Sequence, residues 1–91
     1  MKIIFKHSYK CPVSLRAKQE MDGFLKDSTA QIEYEMIDVI GSRQRSNEVV
    51  EKYGIGHESP QVIIVDDNDK VLWTASHRKI REKKIKSAVE G

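Results

Sequence analysis

Apolar positions along the chain follow two periods. Ile3-Ile4-Phe5, set between Lys2 and Lys6, is a β-branched and aromatic run that predicts a first strand, starting almost at the first residue with no extension before it. Val13, Ala17, Met21 and Phe24, with Leu25 beside them, then recur at helical spacing. Pro12 opens that helix, because a proline at the first helical position gives up no N–H that the helix needs. Leu15 lies off the apolar stripe, Gly23 weakens the last turn by about 1 kcal/mol, and Asp27-Ser28-Thr29 ends the helix. Ile32, Tyr34 and Met36 alternate with Glu33 and Glu35, the pattern of a half-exposed strand, and Ile37 makes it more buried towards Val39. After the Gly41-Ser42 turn, Val49, Val50 and Tyr53 predict a second helix over 43–53, capped by Ser42 or Ser46 and stopped by Gly54. Gln61-Val62-Ile63-Ile64-Val65 is nearly all apolar, as a buried central strand is. The Asp66-Asp67-Asn68-Asp69 turn leads into a second arm over 70–75, and Ser76 opens a last helix over 77–89, with Ile80, Ile85 and Val89 near one face.

The order is strand, helix, strand, helix, strand, strand, helix. The first half needs a right-handed crossover and therefore a parallel pair, whereas the hairpin adds antiparallel strands. The expectation is an α/β domain: a mixed four-stranded sheet with three helices distributed over both faces. There is no internal repeat and no linker, so a single domain over 1–91 is expected. Tyr53, Trp73, Phe5, Ile63 and Met21 are its expected core aromatics and aliphatics.

Composition narrows the function classes. With 91 residues, 38% hydrophobic and 33% charged, the chain has the make-up of a folded domain that needs no metal or disulfide staple. The longest apolar run, Val62 to Val65, is far short of the roughly 20 residues a bilayer requires. Ile3–Phe5 is also too short for a signal-peptide core, so a cytoplasmic location is expected. Sixteen Lys and Arg against fourteen Asp and Glu give +2, too mild a balance to argue for nucleic acid or membrane. The basic run Arg78, Lys79, Arg81, Lys83, Lys84 and Lys86 has no interleaved aromatics and is expected to be a solvated face rather than a nucleic-acid site. His7, His57, His77 and Cys11 match no compact ligand spacing, so no metal site is expected.

The chemistry concentrates in Lys10-Cys11-Pro12-Val13-Ser14. Cys11 is the chain's single cysteine and falls where the first strand passes into the first helix. Unpaired N–H groups and the positive end of the helix favour thiolate over thiol there, and Lys10 adds positive charge. Ser14, about one helical turn on, can donate a hydrogen bond to that sulfur but cannot resolve a disulfide as a cysteine would. A buried, inert thiol remains the alternative. Ser59-Pro60 precedes the central strand. A trans bond at a strand entry and a cis bond turning the Ser59 backbone towards Cys11 both fit the sequence.

Phe5 through Ser14, Ser46-Asn47-Glu48, His57-Glu58-Ser59-Pro60-Gln61-Val62 and Trp73-Thr74-Ala75-Ser76-His77 together resemble the monothiol bacilliredoxins of the YtxJ type, over nearly the whole chain. The chain departs from that pattern in having Tyr9-Lys10, where Thr or another small polar residue usually precedes the cysteine. The resemblance implies a thioredoxin-like (glutaredoxin-like) fold. It also implies an oxidoreductase that removes bacillithiol, a low-molecular-weight thiol, from mixed disulfides on cytosolic proteins. By that resemblance Cys11 is the attacking thiol, Pro12 belongs to its motif, and Ser14 occupies the resolving position of dithiol relatives. Pro60 is then the cis-proline, the Ser59 backbone pairs with the bound thiol, and His57 belongs to the substrate loop. Lys10, Arg16 and Lys6 are candidate anchors for the malate carboxylates of bacillithiol, with Arg43 and Arg45 as further ones. Bacillithiol is then a co-substrate, no cofactor is tightly bound, and a monomer that binds neither nucleic acid nor membrane is expected. The competing reading keeps the scaffold and makes it a binding or adaptor module whose cysteine is regulatory or inert.

Overall fold

The computed structural model describes residues 1–28 and 31–90. Thr29, in the expected helix end, and Gly91, at the end of the expected domain, lie outside the described residues. The elements are β1 (Lys2–His7), α1 (Pro12–Asp27), β2 (Glu33–Asp38), α2 (Arg43–Tyr53), β3 (Gln61–Val65), β4 (Val71–Ser76), a 3₁₀ turn (His77–Lys79) and α3 (Glu82–Glu90). The sheet runs β2-β1-β3-β4, with β1 and β2 parallel and both β1–β3 and β3–β4 antiparallel. This is the expected mixed four-stranded sheet, in the thioredoxin-like arrangement.

Two apolar layers hold it together. Ile3, Phe5, Val62, Ile64 and Ala75 point to one face, where Ala17, Met21 and Phe24 of α1 and Ile85 of α3 cover them. Ile4, Ile37, Ile63 and Val65 point to the other, where Val49 of α2 covers them, with Tyr53 and Val71 partly buried alongside. All five residues of β3 are buried, which explains why that strand reads as a continuous apolar run rather than an alternation. Gly54 ends α2 with φ +64, a left-handed conformation that glycine adopts without a Cβ clash, and its N–H donates to Val50 O at 2.9 Å. Gly23 sits within α1 facing the carboxylate of Glu82 on α3, the mobile end of a side chain that can turn aside for a Cβ.

The structure departs from the sequence pattern in two places. The expected helix over 77–89 is split: Ser76 closes β4, a 3₁₀ turn follows, and α3 starts only at Glu82. His77 has φ +56 and its amide donates to Pro60 O at 3.0 Å, while Ile80 is extended and buried; tying this segment to the sheet end prevents a continuous helix. Within edge strand β2, Met36 is 36% exposed and Ile37 is buried on the α2 face, so the alternation that begins at Ile32 and Tyr34 does not carry through. Of the two candidate caps, Ser42 occupies the N-cap of α2 without a side-chain hydrogen bond, and Ser46 is buried inside the helix for a reason given below.

Ile63→Ala is expected to cost about 2–5 kcal/mol, because a fully buried side chain at the middle of the central strand leaves a cavity that close-packed neighbours only partly fill. A urea denaturation series with an unchanged m value checks it.

Candidate active site

β1 runs towards one end of the sheet and β3 starts from it, with Lys6 opposite Gln61. The segment from His7 to Cys11 and the loop ending at Pro60 therefore emerge side by side. Cys11 is the N-cap of α1, with φ −110 and ψ 121, and its side chain makes no capping hydrogen bond. Its amide donates to Ser8 O at 3.3 Å, its carbonyl accepts from Leu15 N at 3.1 Å, and the residue is partly exposed rather than sunk in the core. The first turn of α1 contains Pro12 and no acidic residue, so the helix itself sets no carboxylate against its positive end.

Ser14 is fully buried, and its Oγ accepts from Ser8 N at 3.2 Å. Lys10 is exposed next to Cys11, and its amide donates to Ser8 Oγ at 3.4 Å. Residues 8–11 are thus pinned by backbone and hydroxyl groups in a fixed turn. The Ser59–Pro60 bond is cis, as the family resemblance implied. Among the described residues no hydrogen bond engages the Ser59 backbone, and its buried Oγ also lacks a partner. The Pro60 carbonyl, by contrast, holds His77.

Arg16 is brought to this end. With Pro12, Val13 and Ala17 it forms one wall of a groove of about 420 Å³, whose other wall is His77, Arg78, Ile80 and Arg81. Arg78 and Arg81 belong to the basic run expected to be a solvated face, and no local pattern places them at this groove. They reach the groove because the chain breaks into a 3₁₀ turn after β4. Tyr9 and Leu15, 56% and 45% exposed, are large apolar side chains close to Cys11 in sequence. The position of Leu15 off the helical stripe was the one sequence signal for this.

Other expected anchors are placed elsewhere. Lys6 is fully buried on the α2 face, where its Nζ donates to His57 Nδ1 at 3.3 Å, so it cannot receive a carboxylate from solvent. The reason is strand parity: Lys6 falls on the same face as Ile4, opposite Gln61. Arg45 is taken by Glu35, with Nε and Nη2 at 2.8 and 2.7 Å from its carboxylate oxygens, and this pairing holds the Glu35 carboxyl down to about 2. Neither Arg43 nor Arg45 lines the groove, since α2 packs on the opposite face from α1.

Ser46 Oγ also donates to His57 Nδ1, at 3.2 Å. Two donors converge on one ring nitrogen, so the imidazole accepts there and keeps its proton on Nε2. Burial, followed by the charges of Lys6 and Arg43, pushes the His57 imidazole below its ordinary value, and burial also lowers the Lys6 amine. His57 further lines a hollow of about 510 Å³ on the far side of the Pro60 loop, with Gln61, Ser76 and His77. His7, behind the turn, is fully buried with neither ring nitrogen hydrogen-bonded; it stacks on Phe5 and meets the edge of Tyr9. Burial and the Lys18 charge push its imidazole down, against the Ser14 backbone, Asp38 and Asp22. Among the described residues no group of three or more His, Cys, Asp or Glu side chains could hold a metal ion, and no helix is long and apolar enough to cross a membrane.

A family model described as monothiol bacilliredoxin BrxC matches residues 1–85. A solved thioredoxin-fold protein proposed to be an oxidoreductase is similar with a TM-score of 0.83 at 27% identity, over 97% of this chain and 76% of that one. Thioredoxin 1 from Thermosipho africanus superposes with a TM-score of 0.75 at 22% identity, over 99% and 91% of the two chains. Thioredoxin-2 of the malaria parasite gives 0.78 at 15% identity, over 98% and 80%. These last two show the shared fold.

The lowered His7 and His57 values set a pH dependence of stability. Near pH 6.5 the unfolded chain takes up protons that the folded protein still refuses, so stability is full above that value and falls as the pH drops through it. The urea midpoint is expected to decline between about pH 7.5 and about pH 5.5, and His7→Phe is expected to flatten part of that slope.

Proposed function

The chain belongs to the monothiol bacilliredoxin family, a family of thiol–disulfide oxidoreductases, and on that premise we propose that Cys11 lifts bacillithiol from S-bacillithiolated proteins in a single exchange step. The Cys11 thiolate attacks the bacillithiol sulfur of a protein–bacillithiol disulfide. The old S–S bond breaks, the protein sulfur departs as a thiolate and takes up a proton, and a Cys11–bacillithiol disulfide forms. One disulfide replaces another, so no external oxidant or reductant enters this half. An external thiol, a second bacillithiol or a thiol on a partner protein, then attacks the bound bacillithiol sulfur and releases Cys11.

The observation that carries this reading is the placement of the chain's single cysteine: partly exposed, at the N-cap of α1, with no side chain capping the helix in its place. Inside the core it would serve packing, whereas at a helix start it meets the electropositive surroundings that reactive thiols need. Pro12 and Lys10 flank it. Ser14 stands where a dithiol relative has its second sulfur, and its buried hydroxyl fixes the 8–11 turn instead of resolving a disulfide. Ser59, with its backbone unengaged on a loop leaving the same sheet end, is the proposed partner of the bound thiol's amide groups, and Pro60 fixes that loop. His57, held by Lys6 and Ser46 within the same loop, is proposed to present its Nε2–H to substrate. The protein acts in this reading as a monomer in the cytoplasm on cytosolic clients.

Two measurements test it. After incubation with oxidised bacillithiol, mass spectrometry is expected to find one adduct on Cys11 and none in Cys11→Ser. Activity retained by Cys11→Ser would end the proposal. Ser14→Ala is expected to lose about 1 kcal/mol of stability, as the Ser8 amide loses its acceptor, while still forming the adduct. Failure of the folded variant to form it would instead give Ser14 a part in the exchange.

A further inference from the structure

The groove between α1 and the 3₁₀ turn is unusual in its charge. Its floor is apolar, from Val13, Ala17 and Ile80, the last two only 2% exposed each. Its rim has three guanidinium groups, Arg16, Arg78 and Arg81, together with His77, and none of its lining residues is acidic. Among the described residues none of the three arginines forms an ion pair. The nearest acidic neighbour of Arg16 along α1, Glu20, uses a carboxylate oxygen to accept from Glu82 N at 3.1 Å. Arg81 Nε donates to Arg78 O at 3.2 Å, which fixes the direction of this side chain and leaves its charge uncompensated. Elsewhere among the described residues four side-chain cations are paired, Lys2 and Arg45 with Glu35, Lys18 with Asp22 and Lys52 with Asp69, whereas isolated surface lysines such as Lys10 and Lys26 are not; what sets the groove apart is three guanidinium groups on one lining that has no acidic residue.

Like charges gathered without counter-ions cost free energy unless a ligand supplies the opposite sign. The size of the groove points to what that ligand is. About 420 Å³ lies in the range of small-molecule sites, roughly 300–1,000 Å³, and is a poor match for a folded partner surface. Pro12, the residue after Cys11, forms its lip, and His77 at its other lip is bonded to the Pro60 carbonyl. A ligand whose sulfur sits at Cys11 thus has the groove directly beside it.

We infer that the groove is the anion subsite of the reaction: Arg16, Arg78 and Arg81 hold the two malate carboxylates of bacillithiol while its sulfur is exchanged at Cys11. The inference rests on the reading above and adds to it what makes the thiol selective. Guanidinium groups suit this task because their planar fork pairs with a carboxylate through two parallel N–H donors, whereas an ammonium offers a point charge. The subsite serves both half-reactions, since bacillithiol stays bound to Cys11 between them.

The experiment uses the full chain and one client peptide blocked in two ways, as its disulfide with bacillithiol and as its disulfide with uncharged mercaptoethanol. Steady-state kinetics give the preference for the first over the second as a ratio of kcat/KM values. In Arg16→Gln and in Arg78→Gln that ratio is expected to fall several-fold each, and in the double variant about tenfold or more, mainly through KM for the bacillithiol disulfide. Arg16→Lys and Arg78→Lys are expected to restore part of it. Lys83→Gln, which removes one positive charge from α3 away from the groove, is expected to keep the wild-type ratio. A ratio unmoved in the folded double variant overturns the inference while leaving exchange at Cys11 intact. Failure of the wild-type protein to process either disulfide overturns the reading beneath it, and the inference with it. A third arm repeats the series with an acidic and a neutral peptide. If the variants lose rate according to peptide charge, whichever thiol is attached, the groove takes the client protein and the inference is wrong.

Discussion

The antiparallel pairing of β1 with β3, which sets Lys6 opposite Gln61, is the constraint on which the rest of the structure depends. It sends the end of β1 and the beginning of β3 to the same edge of the molecule. Three distant stretches of sequence then converge there: the 8–11 turn, the loop ending at cis-Pro60, and the 3₁₀ turn after β4. The register of β3 with β4 completes the arrangement by placing Ser76 across from Gln61, so that the His77 amide meets the Pro60 carbonyl. Burial of all five β3 residues between two helical layers makes a slip in that register costly, because a one-residue shift would exchange the faces of Val62, Ile63 and Ile64.

The same end of the sheet is where the interior turns polar. Lys6, His7, Ser14, Ser46 and Gln61 are all buried. Buried polar groups are tolerable where they bond one another, and most of these do: Lys6 and Ser46 share His57, Ser14 takes the Ser8 amide, and Gln61 donates to Gly56 O at 3.1 Å. The bonds lie under the loops that frame Cys11 and run from sheet and helix into those loops. They hold irregular backbone in place where no ladder of strand hydrogen bonds can. Among the described residues His7 makes no such bond, with both ring nitrogens unbonded inside an aromatic stack, and the Gln61 Oε1 is likewise without a partner.

Much of the fold can be read directly from residue order. The helical stripe of Val13, Ala17, Met21 and Phe24 is the face α1 buries, and the apolar run at 61–65 is the central strand. Cys11 and Pro12 mark the strand-to-helix junction, which the structure places at the sheet end shared with the Pro60 loop. The segment after β4 was less legible. Ile80, Ile85 and Val89 fit a single helix, but the left-handed His77 and the buried, extended Ile80 follow from a contact with Pro60, a residue far away in sequence. Lys6 illustrates the same limit. A lysine a few residues before the candidate cysteine invites a surface role, and only strand parity against α2 puts it in the interior.

The sequence by itself determined the order of elements, the identity of the central strand and the one residue able to do thiol chemistry. Those depend on local periodicity, on proline and glycine geometry, and on the presence of a single sulfur. Only the tertiary structure decided which charged residues share a surface with that sulfur. Arg16, Arg78 and Arg81 line one groove, Lys6 is buried and bonded to His57, and Arg45 is paired with Glu35. Sequence spacing cannot sort those groups, because side-chain proximity across a sheet is set by pairing register and by the face each strand or helix turns inward, both of which depend on residues far apart in the chain.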